Sequence, residues 1–177
     1  MIKKITLIAL PVLALIVLAY YLLGGFNQIE IQKVKVEGYH LAGHFYEGPF
    51  KEDELKSYFF QMQDYVKNNE LQGTVGVVNY DTKQAAEDSI RQFIGVILDE
   101  NNQQIPSGLN QEKVPAQEAL RAVIRAHPIV MPNPVQVVEQ LRSRAKDEEI
   151  SLKEFSIEQY IGEQEIWVDI PLEIVKN

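Results

Sequence analysis

The sequence predicts an α+β domain: duplicated strand–helix–strand–strand units forming one antiparallel sheet with two helices on one face, preceded by one transmembrane helix. Three observations predict it. A charge-free apolar run occupies the amino-terminal end. The order and spacing of the later elements repeat across two halves. Within the strands, apolar and polar residues alternate with a period of two.

The apolar run is "ITLIALPVLALIVLAYYLL", from Ile5 to Leu23. As a helix it rises roughly 28 Å, near the thickness of a bilayer's hydrocarbon core. Lys3 and Lys4 precede it, and Tyr20 and Tyr21 stand near its far end as interfacial aromatics do. Pro11 is tolerated where neighbouring groups compensate the lost backbone bond. A cleaved signal peptide is the competing reading, but the run is long for one and no small-x-small cleavage pattern follows. The expectation is a single-pass membrane protein with a cytoplasmic amino terminus and an extracytoplasmic domain. Lys33 and Lys35, close behind the run, weigh against that orientation.

The organisation expected is a short tail at 1–4, an anchor at 5–24, a linker at 25–28 and one domain at 29–177. Within that domain the first repeat covers about 29–100 and the second about 110–175. The chain has 177 residues, no cysteine and a formal net charge of −8. No disulfide or thiolate metal site is available, and the acidity argues against nucleic acid, which selects a basic face.

The first unit starts in "IEIQKVKVEGYHLAGHFYEG", two strand-like runs around Glu37-Gly38, with a change of phase near Lys33 that predicts a bulge or twist. After Gly48-Pro49, the acids Glu52, Asp53 and Glu54 suit a first helical turn. Leu55, Tyr58, Phe59, Met62, Tyr65 and Val66 recur at helical spacing, and Asn68-Asn69 and Gly73 end the helix. "TVGVVNY" and "RQFIGVILD" follow as strands, with room for a short helix between Asp81 and Ser89.

The second unit repeats this order. "EALRAVIRAH" reads as a strand, Asn133 as an N-cap and Pro134 as the first helical residue. Val138, Leu141 and Ala145 form the stripe, 11, 14 and 18 residues after His127. Leu55, Tyr58 and Met62 stand at the same distances after His44. "FSIEQY" and "EIWVDI" complete the unit, and "VVNY" overlays "IEQY".

Alternation puts Ser156, Glu158 and Tyr160 on one face of their strand and Phe155, Ile157 and Gln159 on the other. In the next strand Ile166, Val168 and Ile170 oppose Trp167 and Asp169. With the aliphatic residues under the helices, Glu158, Tyr160, Trp167 and Asp169 gather on the open face. A carboxylate among aromatics suits an amphipathic cation through charge pairing and cation–π attraction. Tyr46, on the strand before Gly48-Pro49, and Tyr80 complete the expected ligand-binding set. His40 and His44 lie about 13 Å apart on a strand, too far for one metal ion. No cofactor is expected, and no nucleophile elbow, phosphate loop or dinucleotide fingerprint is present.

Tandem units with "HFYEGPF" (His44 to Phe50) before the first helix, "EQY" (Glu158 to Tyr160) and "VDIPL" (Val168 to Leu172) resemble the GyrI-like small-molecule-binding domain. The resemblance implies a ligand groove between the repeats with Glu158 as its carboxylate and Tyr160 as the aromatic two residues on. The family includes effector-binding domains of multidrug-responsive regulators, gyrase-inhibitor-like proteins and hydrolases of strained rings. A membrane-anchored relative acts as an ER-phagy receptor. "HPIVMPNP" departs from the family's repeated Gly-Pro-aromatic turn. The leading expectation is a non-catalytic, membrane-anchored binder of a small molecule. The alternatives are a hydrolase using Glu158 and Tyr160 in acid–base work, and a tethered adaptor for a protein partner.

Overall fold

In the computed structural model, residues 2–80, 89–100 and 103–173 are described, with side chains of the first helix from residue 11. The chain runs α1 (Ile2–Leu22), β1 (Glu30–Lys35), β2 (Tyr39–Pro49), α2 (Glu52–Lys67), β3 (Gly73–Tyr80), β4 (Ser89–Leu98), β5 (Asn110–Val114) and β6 (Glu118–Arg125). A 3-10 turn at Pro128–Val130 leads to α3 (Pro134–Asp147), β7 (Phe155–Tyr160) and β8 (Glu165–Pro171). The expected short helix between Asp81 and Ser89 falls largely outside the described residues.

The membrane expectation is corrected. Among the described residues no helix is long and apolar enough to cross a membrane. The transmembrane segment of the expected fold class, and the single-pass localisation built on it, therefore have no support. The chain beyond α1 docks on the end of β6: the His127 amide donates to the Leu23 carbonyl at 2.9 Å, and Asn27 Nδ2 to the Arg125 carbonyl at 2.6 Å.

All eight strands form one antiparallel sheet in the order β1-β6-β8-β7-β3-β4-β2-β5. The order is palindromic when β1, β2, β3 and β4 are exchanged with β5, β6, β7 and β8. Equivalent strands β3 and β7 meet at the centre, and each half lends its first strand to the edge of the other. Strands β1 and β2 are therefore chain neighbours that do not pair. The register of β1 with β6 runs unbroken from Glu30 to Lys35, so the bulge expected near Lys33 is absent. Strand β5, "NQEKV", had no sequence signal, because as an edge strand it needs no apolar alternation.

Helix α2 covers the first half, with Leu55 and Met62 buried against Ala42, Val75, Val77, Ile94 and Val96. Helix α3 covers the second, with Val137, Leu141 and Ala145 against Leu120, Ala122, Val168 and Ile170. Val137, not Val138, is the fully buried member of the stripe. Asn133 caps α3 as expected, its side chain accepting from the Val135 amide at 2.9 Å. Both helices lie on one face, since paired residues share a face and Val77, Glu158, Val168 and Ala122 form one cross-strand row.

The other face is not open. Tyr39 of β2 donates to Asp169 of β8 at 2.6 Å, although three strands separate them in the sheet. In a flat sheet those strands would lie roughly 19 Å apart. The sheet must curl, with the helix-free face inside. Gly43, Gly95 and Gly76 form a continuous cross-strand row on that concave face. A Cβ on Gly43 would meet the Ile94 carbonyl oxygen at 2.1 Å, and one on Gly95 the Ala42 carbonyl oxygen at 2.6 Å. Tyr39, Leu41, Val78, Phe93, Val114 and Ile157 fill the concavity as a second core.

Candidate functional site

The pairing corrects the expected gathering of four residues on one face. Glu158 is paired with Val77 and Val168, so it and Tyr160 lie on the helix face. Asp169 is paired with Ile157 and Arg121, and Trp167 with Gln159, so both lie on the concave face. The premise that failed is that Ile157 lies under a helix. It is fully buried, but in the concave core.

Glu158 sits at the joint between the two halves. Its Oε1 accepts from Asn79 Nδ2 at 2.8 Å and its Oε2 from the Tyr160 hydroxyl at 2.8 Å. Asn79 Oδ1 in turn accepts from Gln92 Nε2 at 2.6 Å. Strands β3, β4 and β7 thus place an amide, an amide and a carboxylate in one connected line. Both of these hydrogen-bond partners, Asn79 and Tyr160, are neutral donors. Burial raises its carboxyl above the ordinary range, against the opposing pull of the bonds from Tyr160 and Asn79. Burial, and then the neighbouring Glu158 charge, also push the Tyr160 phenol well up. The Tyr160 ring meets Phe59 of α2 edge-on, with centroids 4.7 Å apart.

A cleft of about 480 Å³ opens between α3 and strands β3, β4 and β7. Asn79, Gln92, Ser156 and Glu158 line its floor, Val135 and Val138 its α3 wall, and Tyr80, Arg91 and Phe155 its outer end. Burial and then the charge of Glu112, which accepts from the Tyr80 hydroxyl at 3.2 Å, push the Tyr80 phenol up to about 12. Arg91 lies over the rings of Phe45 and Tyr80 at 5.3 and 5.2 Å.

Three other expected residues, Tyr46, Asp169 and Trp167, stand elsewhere. Tyr46 is buried in the core beneath α2, its hydroxyl donating to the Pro49 carbonyl. Asp169 has no exposure and is fully engaged: Arg121 clamps it with two bonds of 2.7 Å, and Tyr39 and Gln159 donate at 2.6 and 2.7 Å. The Arg121 guanidinium lies 4.0 Å from the Trp167 ring centroid, so both aromatic face and carboxylate serve a protein cation. Asn79 and Gln92 were missed by sequence reasoning, because two isolated amides on separate strands carry no motif. Among the described residues no group of ligands could hold a metal ion.

Solved structures share this architecture. An EcmrR–DNA complex superposes with a TM-score of 0.57 at 14% identity, covering 98% of this chain and 70% of that one. SAV2435 bound to tetraphenylphosphonium gives a TM-score of 0.52 at 9% identity, covering 82% and 94%. An uncharacterized conserved protein from Listeria innocua gives 0.50 at 8% identity, covering 81% and 92%. These likenesses establish a shared fold and nothing finer. No family model and no curated protein matches the chain. The fold is compatible with a GyrI-like domain.

Proposed function

We propose that the chain binds an amphipathic small-molecule cation in the cleft beside α3, with Glu158 as the counter-charge. One observation carries this reading. Glu158 is a partly buried carboxylate on the cleft floor whose partners are two neutral donors. A carboxylate so placed gains most from an incoming cation, since charge pairing strengthens where water is excluded. Tyr160 supplies a hydrogen bond to the same carboxylate, and Tyr80 forms part of the outer wall. The likeness in fold to a structure holding tetraphenylphosphonium supports this choice of ligand class. Trp167, Asp169 and Tyr46 are left out of the site.

The test is a thermal-shift and fluorescence titration with tetraphenylphosphonium on the wild-type chain and Glu158→Gln. A ligand at one hundred times its dissociation constant adds about 2.7 kcal/mol of stability, or about 5–10 °C in Tm for a chain of this size. Loss of at least tenfold in affinity in Glu158→Gln is the expected outcome. Equal binding by the two proteins would sink the reading. The raised carboxyl of Glu158 also suits acid–base work. That second reading expects turnover of a bound compound to vanish in Glu158→Gln while binding persists.

A further inference from the structure

We propose, on the reading that Glu158 meets a cation, that Gln92 is a positioning residue that fixes which end of the Asn79 amide faces the carboxylate. Asn79 has a donating NH2 and an accepting carbonyl at opposite ends of one rotatable group. Its carbonyl is held by Gln92 Nε2 at 2.6 Å, which leaves the NH2 to donate to Glu158 at 2.8 Å. Gln92 and Asn79 are direct cross-strand partners in the β3–β4 ladder, so the contact is set by register rather than by a flexible reach. Without the Gln92 donor, half a turn of the Asn79 amide would present its oxygen to Glu158. Two acceptors can meet there only if the carboxyl is protonated, and a protonated carboxyl does not pair with a cation. Gln92 therefore holds the amide line in the direction that favours ionised Glu158.

This control crosses the joint between the halves. The carboxylate comes from β7, and both amides come from the β3–β4 hairpin of the first half. The groups around Glu158 leave the amides in charge of its oxygen Oε1. Its cross-strand neighbours Val77 and Val168 are apolar, and α2 contributes Phe59 behind Tyr160. Tyr160 holds the other oxygen. The charged and titratable groups sharing the cleft are Arg142 of α3, Glu154 before β7, and Tyr80 and Arg91 at its outer end.

The decisive measurement is a carbon-13 NMR titration of the glutamate carboxyls in the whole 177-residue chain, with Glu158 assigned by its loss in Glu158→Gln. Wild type is compared with Gln92→Met, which removes the donor without adding charge, and with Gln92→Glu, whose side chain accepts and so selects the reversed amide. The Glu158 midpoint is expected to rise in Gln92→Met, and by about one pH unit or more in Gln92→Glu. Tetraphenylphosphonium affinity near neutrality should fall in the same order and recover as the pH is raised. A merely structural role would lower Tm and leave the midpoint where it was. An unchanged Glu158 midpoint in Gln92→Met overturns the proposal even if Gln92→Glu does not fold. If wild type binds no tetraphenylphosphonium, the cation reading fails while the carboxyl titration still decides the role of Gln92.

Discussion

Two carboxylates on neighbouring strands, Glu158 of β7 and Asp169 of β8, meet opposite fates. Asp169 is enclosed in the concave face and takes four bonds, two of them from Arg121. Glu158 lies on the helix face beside a cleft, and its partners are neutral. The first arrangement answers its own charge inside the protein and fixes the curl of the sheet through Tyr39. The second leaves charge available to something that enters. A buried carboxylate is thus not in itself a sign of function; what matters is whether the fold supplies its cation.

The sharpest way to break the comparison is to take the cation from Asp169. Arg121→Met leaves an uncompensated buried carboxylate and should destabilise the chain by about 3–5 kcal/mol. Chemical denaturation of the variant measures this directly. Replacing both partners, Arg121→Met with Asp169→Leu, should recover much of the loss, because a well-filled apolar pair is often no worse than a buried ion pair. A small effect of Arg121→Met alone would mean that Tyr39 and Gln159 satisfy Asp169 without it.

The smaller effect on the same side concerns the strap across the curl. Tyr39→Phe removes one hydrogen bond to a charged acceptor and should cost about 1.5–3 kcal/mol. It should leave cation binding in the cleft nearly untouched, since Tyr39 lies on the far face. Calorimetry with and without tetraphenylphosphonium separates the two. A variant that weakened binding as much as stability would show that the curl also shapes the cleft.

Much of this division was hidden in the sequence for one physical reason. Period-two alternation tells which residues share a face, but not which face meets the helices. Ile157 and Val168 both look like core residues. The pairing of Glu158 with Val168 places Ile157 on the opposite side, where the curl supplies a second core. The same parity shows the overlay of Val77–Tyr80 on Ile157–Tyr160 to be one residue out. In the β3–β7 ladder Val77 pairs with Glu158, so Val77 and Ile157 lie on opposite faces, whereas symmetry-related residues must share one. Helix boundaries were more legible: the acidic first turn at Glu52 and the Asn133-Pro134 start of α3 act locally. Gly43, Gly76 and Gly95 were present in the strands from the start. Their meaning as one row appears only once register brings them together.

The mildest test sharpens the Glu158 side through pH. Burial raises the Glu158 carboxyl in the fold, so between its ordinary range and its raised value the native state holds the proton that the unfolded state has lost. Native chains then bind more protons than unfolded ones, and this group's contribution to stability falls as pH rises through that window. It is fully present below the unfolded value and lost above the folded one. Glu165, lowered mainly by the bond from Trp167, and Glu52, lowered mainly by Lys56, act with the opposite sign. The informative quantity is therefore the difference between wild type and Glu158→Gln. Relative to wild type, Glu158→Gln should gain stability as pH is raised through and above the ordinary carboxyl range, as read by chemical denaturation at a series of pH values. A difference that stays flat with pH would mean that burial does not hold the proton on Glu158, and would remove its charge state as the feature setting it apart from Asp169.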